Sequence, residues 1–390
     1  MAAPPKTRSW SWRSKAFRGV LYQVIALGLI FAAGTYLFSN TLENMRARGI
    51  KSGFDFITQP AGFAIGESVI PFDSSESYAK AFLVGLSNTI RVSVAGIVLA
   101  TIIGTLVGVG RLSRNLLVRT LCGGYVDLLR NVPLLLQLFI WYFVLTEMLP
   151  AIDEALRPLP GVFFSKNGLQ FPLPAAAPGH WGTFGGFVVG LIGVWGWRRW
   201  VRARHEATGR APMFWLPALV ILAAVTLLGW WLGGAPTGLD VPEKTQINVI
   251  GGGAVTPEFL TVLLGLTIYT AAYIAEVVRA GIQAVPYGQH EASLSLGLTR
   301  AKELRLVQLP QALRVIIPPM TNQYLNLTKN SSLAVAVGYP DLISISNTSL
   351  NQTGRAIECI SIAMACYLTL SLLTSVLMNW YNRRAAIKER

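Results

Sequence analysis

Glu291-Ala292-Ser293-Leu294-Ser295-Leu296-Gly297, followed nine residues later by Val307-Gln308-Leu309-Pro310, is the stretch on which the reading of this chain turns. Pro286 and Gly288 close the apolar run before it, and Leu309-Pro310 opens the next. Between them, Gln289 to Leu298 reads as a short helix in which Ala292, Leu294 and Leu296 alternate with Ser293 and Ser295, and the basic cluster Arg300, Lys302 and Arg305 follows. Each flanking run is long enough to cross a bilayer, which takes about 20 apolar residues. The segment is therefore expected at a membrane surface, where another protein can grip it. A simple membrane-interface helix would show the same pattern, so pattern alone leaves both readings open.

The 390 residues are 52% hydrophobic and only 13% charged, against about 25% charged in an average soluble domain. This is the composition of an integral membrane protein. Eight spans are expected, at about 19–38, 82–110, 131–149, 184–200, 213–233, 258–280, 312–335 and 357–380. The fourth, Phe184 to Trp200, is short for a hydrocarbon core of about 30 Å, although Trp195, Trp197 and Trp200 suit an interfacial end. The first follows a basic leader and contains Ala32-Ala33-Gly34, as a cleaved signal peptide would. Its apolar run from Val20 to Phe38 exceeds the usual core of about 7–15 residues, which favours an uncleaved anchor. Residues 39–81 and the Pro- and Gly-rich 150–183 read as outer loops.

A formal net charge of +14 could point to nucleic acid. Its distribution argues otherwise. With the N-terminus in the cytoplasm, twenty-three Lys and Arg fall in the leader, inner loops and tail, and eight in the outer loops. That asymmetry is the positive-inside signature, with both termini cytoplasmic and an even number of spans.

No catalytic constellation is evident. Cys122, Cys359 and Cys366 lack the spacing of a disulfide framework or zinc site, and His180, His205 and His290 are scattered. No Gly-x-x-x-x-Gly-Lys-Ser/Thr loop occurs, and Gly251-Gly252-Gly253 lacks the flanking lysine, so the usual phosphate cradle for ATP is missing. Neither a Gly-x-Ser-x-Gly elbow nor a His-Glu-x-x-His pair is present. The expectation is a subunit that catalyses nothing by itself, with no cofactor or metal of its own.

In the seventh span, Asn322, Asn326 and Lys329 recur at helical spacing and make one face polar. A lysine at mid-bilayer costs about 2.5–3.5 kcal/mol even on insertion scales, so the stripe should face other helices or a water-filled path. It reads either as a substrate route, with Lys329 near a substrate carboxylate, or as an interhelical polar network with a snorkelling lysine. Glu276 and Arg279, one turn apart, read as an intrahelical pair near the inner end of the sixth span.

Glu291, Ala292, Gly297, Leu309 and Pro310 resemble the Glu-Ala-Ala, Gly, Leu-Pro signature of ABC importer permeases, with Ser293 in place of the second alanine. Four further stretches resemble the polar amino acid permeases, the histidine- and glutamine-type group: Gly85-Leu86-Ser87-Asn88-Thr89, Arg130-Asn131-Val132-Pro133-Leu134-Leu135-Leu136-Gln137, Glu276-Val277-Val278-Arg279-Ala280-Gly281-Ile282, and Leu309-Pro310-Gln311-Ala312-Leu313-Arg314 with Ile317-Pro318-Pro319. The leading span and the inserted pair are similar to the enlarged Q-type permease subunit of general L-amino acid importers.

The resemblance implies an all-α polytopic membrane protein with a five-helix type I permease core, in two parts at 82–149 and 258–382, and a coupling loop at 286–310. A leader, anchor and outer loop (1–81), an insertion (150–257) and a basic tail (383–390) would surround it. It further implies coupling of Glu291, Ala292, Ser293, Gly297, Leu309 and Pro310 to an ATP-binding cassette ATPase dimer that carries the ATP and magnesium. A second permease subunit and an extracytoplasmic amino-acid-binding protein are the other expected partners, and the bacterial inner membrane the expected location. The alternative is an ion-coupled secondary amino acid transporter, in which Glu276 or Lys329 would be the coupling site.

Overall fold

The computed structural model describes residues 14–47, 49, 52–175, 177–209, 212–245 and 249–385. Lys6, Arg8, Arg13, Arg48, Lys51, Arg210, Lys388 and Arg390, all counted in the charge asymmetry, lie outside the described residues. Twelve helices carry the described chain: α1 (Lys15–Ala47), α2 (Tyr78–Gly110), α3 (Leu116–Asn131), α4 (Leu134–Phe143), α5 (His180–Thr208), α6 (Trp215–Leu232), α7 (Pro257–Gln283), α8 (Tyr287–Ser295), α9 (Arg300–Glu303), α10 (Leu309–Asn330), α11 (Leu342–Thr353) and α12 (Ala356–Ala385). Among the described residues, five helices (α1, α2, α6, α7 and α12) are long and apolar enough to cross a membrane, and a sixth span results if the bent pair α3/α4 counts as one.

The differences from the expected eight spans have local causes. The third span does not begin at 131. Asn131-Val132-Pro133 breaks a longer helical path, and α3 meets the helix continuing from α4 to Met148 at 105°. Pro133 has no N–H to give, and Gln137 repairs the break: its buried Nε2 donates to the carbonyls of Leu129 and Val132, each at 2.9 Å. The short fourth apolar run sits within a longer helix, α5, of 29 residues, which is not among those apolar enough to cross. Its polarity sets it apart, with Arg198, Arg199, Arg202 and Arg204 on its C-terminal half. The seventh, α10, likewise carries its polar stripe and falls outside the apolar set.

The contacts divide the chain into two compact units. The first comprises residues up to Asn88 together with 340–372. Its core joins Phe56, Tyr78, Phe82, Leu342, Ile345 and Cys359, so the stretch after α1 packs rather than trails. Arg355 clamps it, donating to the Gly53 carbonyl and to Asp55 (Nη2 to Oδ2 at 2.8 Å), while the Gly53 N–H donates to Glu358. The Gly-Leu-Ser-Asn-Thr stretch finds its reasons here. A side chain at Gly85 would lie 2.9 Å from Ile345 and 3.0 Å from the Leu342 backbone. Asn88 donates to the carbonyls of Glu67 and Pro340, both at 2.9 Å. Asp341 caps α11 through the Ser344 N–H at 2.8 Å, and burial pushes its carboxyl up to about 7.

The second unit comprises Thr89–Tyr339 and the end of α12. Its axis is α7, against which α3, α4 and α10 pack. Small residues set these approaches: Gly265 admits Leu138, and Gly281 admits Ile316. A three-stranded antiparallel sheet, Phe163–Ser165, Gly168–Phe171 and Gly253–Val255, ties the ends of the insertion together before α7. Within the insertion α5 and α6 run antiparallel on a glycine seam: Gly182 and Gly186 lie against Gly229, and Gly179 against Gly233.

The α2–α7 crossing gives a direct test. A Cβ at Gly108 would sit 2.7 Å from the Ala275 carbonyl oxygen, and backbone cannot yield as a side-chain tip can. Gly108→Val is expected to cost about 1–3 kcal/mol by overpacking, read as a lowered Tm in detergent. Gly123→Ala, which meets nothing within 4 Å, should show no loss.

Candidate functional site

The loop between α7 and α10 holds the signature residues. Pro286, in extended conformation, stops α7's direction and starts α8. At the other end Gly297 adopts φ +69. Its N–H donates to Leu294 at 2.9 Å and the Leu298 N–H to Ser293 at 3.1 Å, the paired bonds that close a helix through a left-handed residue. Glycine is needed there for its backbone, since a Cβ would meet nothing within 4 Å.

The structure separates the signature into two faces. Glu291, Ala292 and Gly297 are exposed, and with them Tyr287, Leu294 and Leu296, the last 80% exposed. Ser293 is turned inward and buried, its Oγ donating to the Gln289 carbonyl at 2.7 Å. A residue of alanine's bulk with a self-satisfied hydroxyl suffices at that position. Leu309 and Pro310 stand at the head of α10, directly after a π-helical turn in which the Leu309 N–H still bonds to the Leu304 carbonyl, while Pro310 has no N–H to place.

Under α8 lies an arrangement that sequence reading missed. Glu303, 2% exposed, accepts from His290 (Nδ1 to Oε1, 2.6 Å) and from Gln308 (Nε2 to Oε1, 2.7 Å). Gln311 adds a bond to Gln289 at 3.2 Å. Glu303 closes α9, and the chain then makes a π-helical turn, Leu304–Gln308, into α10. Helix α8 is thus bolted, through one buried carboxylate, to the root of a long helix. That helix is in turn seated on α7, where a Cβ at Gly281 would be 2.3 Å from Ile316. The sequence held no signal for it, because a histidine on a surface helix and a glutamate among basic residues are both ordinary, and they lie 13 residues apart.

Asn322, Asn326 and Lys329 are exposed on one side of α10, while Ile316, Ile317, Met320, Leu327 and Thr328 are buried on the other. The expected polar stripe is therefore real, and in this chain alone it faces outward. It does not join the residues of the α8 loop. Glu276 is held by Arg111 from the end of α2 and by Arg279 on its own helix, with Arg130 at 3.9 Å. The intrahelical pair is one part of a cluster of three arginines on one carboxylate.

Residues 209–387 match the family of binding-protein-dependent transport system inner membrane components. Over nearly the whole chain there are close relatives. The permease protein YhdX of Escherichia coli K12 is 44% identical, covering 98% of each chain. The general L-amino acid transport system permease protein AapQ of Rhizobium johnstonii is 43% identical, over 98% of this chain and 96% of the relative. The glutamate/glutamine/aspartate/asparagine transport system permease protein BztB of Rhodobacter capsulatus is 40% identical, over 96% and 95%. With helices fit to cross a bilayer, a braced surface helix between α7 and α10 and this kinship, the chain belongs to the binding-protein-dependent transport system inner membrane components as an ABC importer permease, a membrane subunit that is not itself an enzyme.

Proposed function

We propose that this chain imports polar or general L-amino acids across the bacterial inner membrane, as one permease of a pair with both termini in the cytoplasm. ATP and magnesium are held by a separate cassette ATPase dimer that docks on α8, and an extracytoplasmic binding protein delivers the substrate. The observation that carries this reading is the loop itself: Leu294 and Leu296 lie open to a partner on one side, and Glu303 fixes the helix to α10 on the other. A push on α8 must then reach α10, which is the mechanical requirement of alternating access. The exposed stripe of Asn322, Asn326 and Lys329 supports a paired permease, because polar groups left against hydrocarbon are costly and a second subunit would cover them or enclose a wet path. Lys329 is suited there to an amino acid's carboxylate. The substrate class rests on the relatives named above.

The ion-coupled alternative needs a carboxylate free to bind an ion. Glu276 is already taken by Arg111 and Arg279. Uptake that stops when ATP is depleted at a fixed ion gradient is the expected outcome, and uptake that persists would restore that alternative.

Gly297→Asp tests the docking face. Aspartate tolerates the left-handed backbone better than most residues, and nothing crowds the position, so the chain should fold. A charge brought into a closely fitted interface is expected to lower ATPase co-purification about tenfold or more. Unchanged recovery of the ATPase would move the docking site elsewhere.

A further inference from the structure

The cytoplasm-facing mouth assigned to the α5–α6 hairpin carries a cluster that the coupling mechanism does not use. Arg198 and Arg202 are one turn apart on α5, and both line two adjoining cavities. One, of about 530 Å³, is bounded by Trp195, Arg198, Arg199 and Arg202. The other, of about 440 Å³, lies between the end of α5 and the start of α6 and is bounded by Arg198, Val201, Arg202, His205, Phe214 and Trp215.

The neighbouring cations are occupied by aromatic faces. Arg199 stacks on Trp195 at 4.1 Å and Arg204 on Trp200 at 4.9 Å. Arg198 and Arg202 have no ion pair with a carboxylate among the described residues. Like charges four residues apart on a helix repel, and an anion bound between them relieves that repulsion. Guanidinium groups are also the side chains best matched to phosphate oxygens.

We propose that Arg198 and Arg202 hold the phosphate group of an anionic phospholipid, whose acyl chains lie along the hairpin. A lipid is favoured over free phosphate by what flanks the pair. Leu191 and Ile192 on α5 and Leu216, Leu219 and Val220 on α6 are exposed apolar side chains one to two turns away, and Trp195 and Trp215 are exposed at the level of the arginines. Tryptophan at that level marks the headgroup region, and basic pockets between spans on the cytoplasmic side suit anionic headgroups. The inserted pair would then be an anchor to negatively charged lipid.

The test is native mass spectrometry of the full-length chain, released from micelles doped with dioleoylphosphatidylglycerol or dioleoylphosphatidylcholine, with and without excess inorganic phosphate. The expected result is selective retention of phosphatidylglycerol that inorganic phosphate does not displace. Retention should fall about fivefold for each arginine removed in Arg198→Gln and Arg198→Gln/Arg202→Gln. Arg204→Gln, which lies outside both cavities, serves as the folded control and should retain the lipid. Equal retention of the two lipids, or no change in the double variant, would overturn the site. Displacement by inorganic phosphate would overturn the lipid as its source.

Discussion

Glu276→Ala is expected to lower the stability of the second unit by roughly 2–4 kcal/mol, the scale for stranding a partly buried charge after removal of its partner. Arg111 arrives from α2 and Arg279 from α7, with side chains 17% and 28% exposed, and Arg130 approaches from α3. Three helices are thus joined through one carboxylate. Without it three guanidinium groups face one another with no compensating charge, while Arg279 keeps only its bond to Gln283. Glu276→Gln retains an acceptor oxygen but not the charge, so it should fall between alanine and wild type. Thermal unfolding in detergent, followed by monodisperse elution, measures the difference. A wild-type Tm in Glu276→Ala would mean that the cluster is solvated and contributes little, as exposed pairs do.

The same cluster shows what the sequence could and could not disclose. Glu276 and Arg279 sit one turn apart, so their pairing was legible from helical spacing alone. Arg111 lies 165 residues away, and nothing local marks it as a partner. The Arg355 clamp on Gly53 and Asp55 is hidden for the same reason, at separations of about 300 residues. Local signals fared better. The short helix expected at Gln289 to Leu298 is there as α8, Tyr287–Ser295, starting directly after Pro286 and taking in Gly288, because a proline that cannot continue a helix and, at Gly297, a glycine in the left-handed region act on their immediate neighbours. Pro133 lies inside the third span as expected from hydropathy, which marks neither the break there nor its 105° bend, whose angle depends on how α3 and α4 each seat on α7. The 29-residue length of α5 is not readable from hydropathy, because its arginines end the apolar signal without ending the helix.

Glu303→Ala is expected to uncouple the importer while leaving its ATPase docked. The carboxylate is the meeting point of His290 on α8 and Gln308 at the entrance to α10, and it is almost fully enclosed. Its removal leaves two half-buried donors without their shared acceptor, at a cost of about 1 kcal/mol each, toward the low end for an unmade bond because water can reach them. That cost falls on the loop's attachment, not on its outer face, where Leu294 and Leu296 remain available. Movement of α8 would then be absorbed in the π-helical turn instead of reaching α10. Amino acid uptake per ATP hydrolysed in proteoliposomes should drop about tenfold or more, with ATPase co-purification within about twofold of wild type; a loss of 1.4 kcal/mol in the attached population already corresponds to a factor of ten. His290→Ala should do less, since Gln308 still holds the carboxylate. Combined with Glu303→Ala it should add little, because residues that share one interaction are not additive. Unchanged uptake per ATP in Glu303→Ala would mean that force reaches α10 through the chain alone, and that the buried brace only keeps the loop folded.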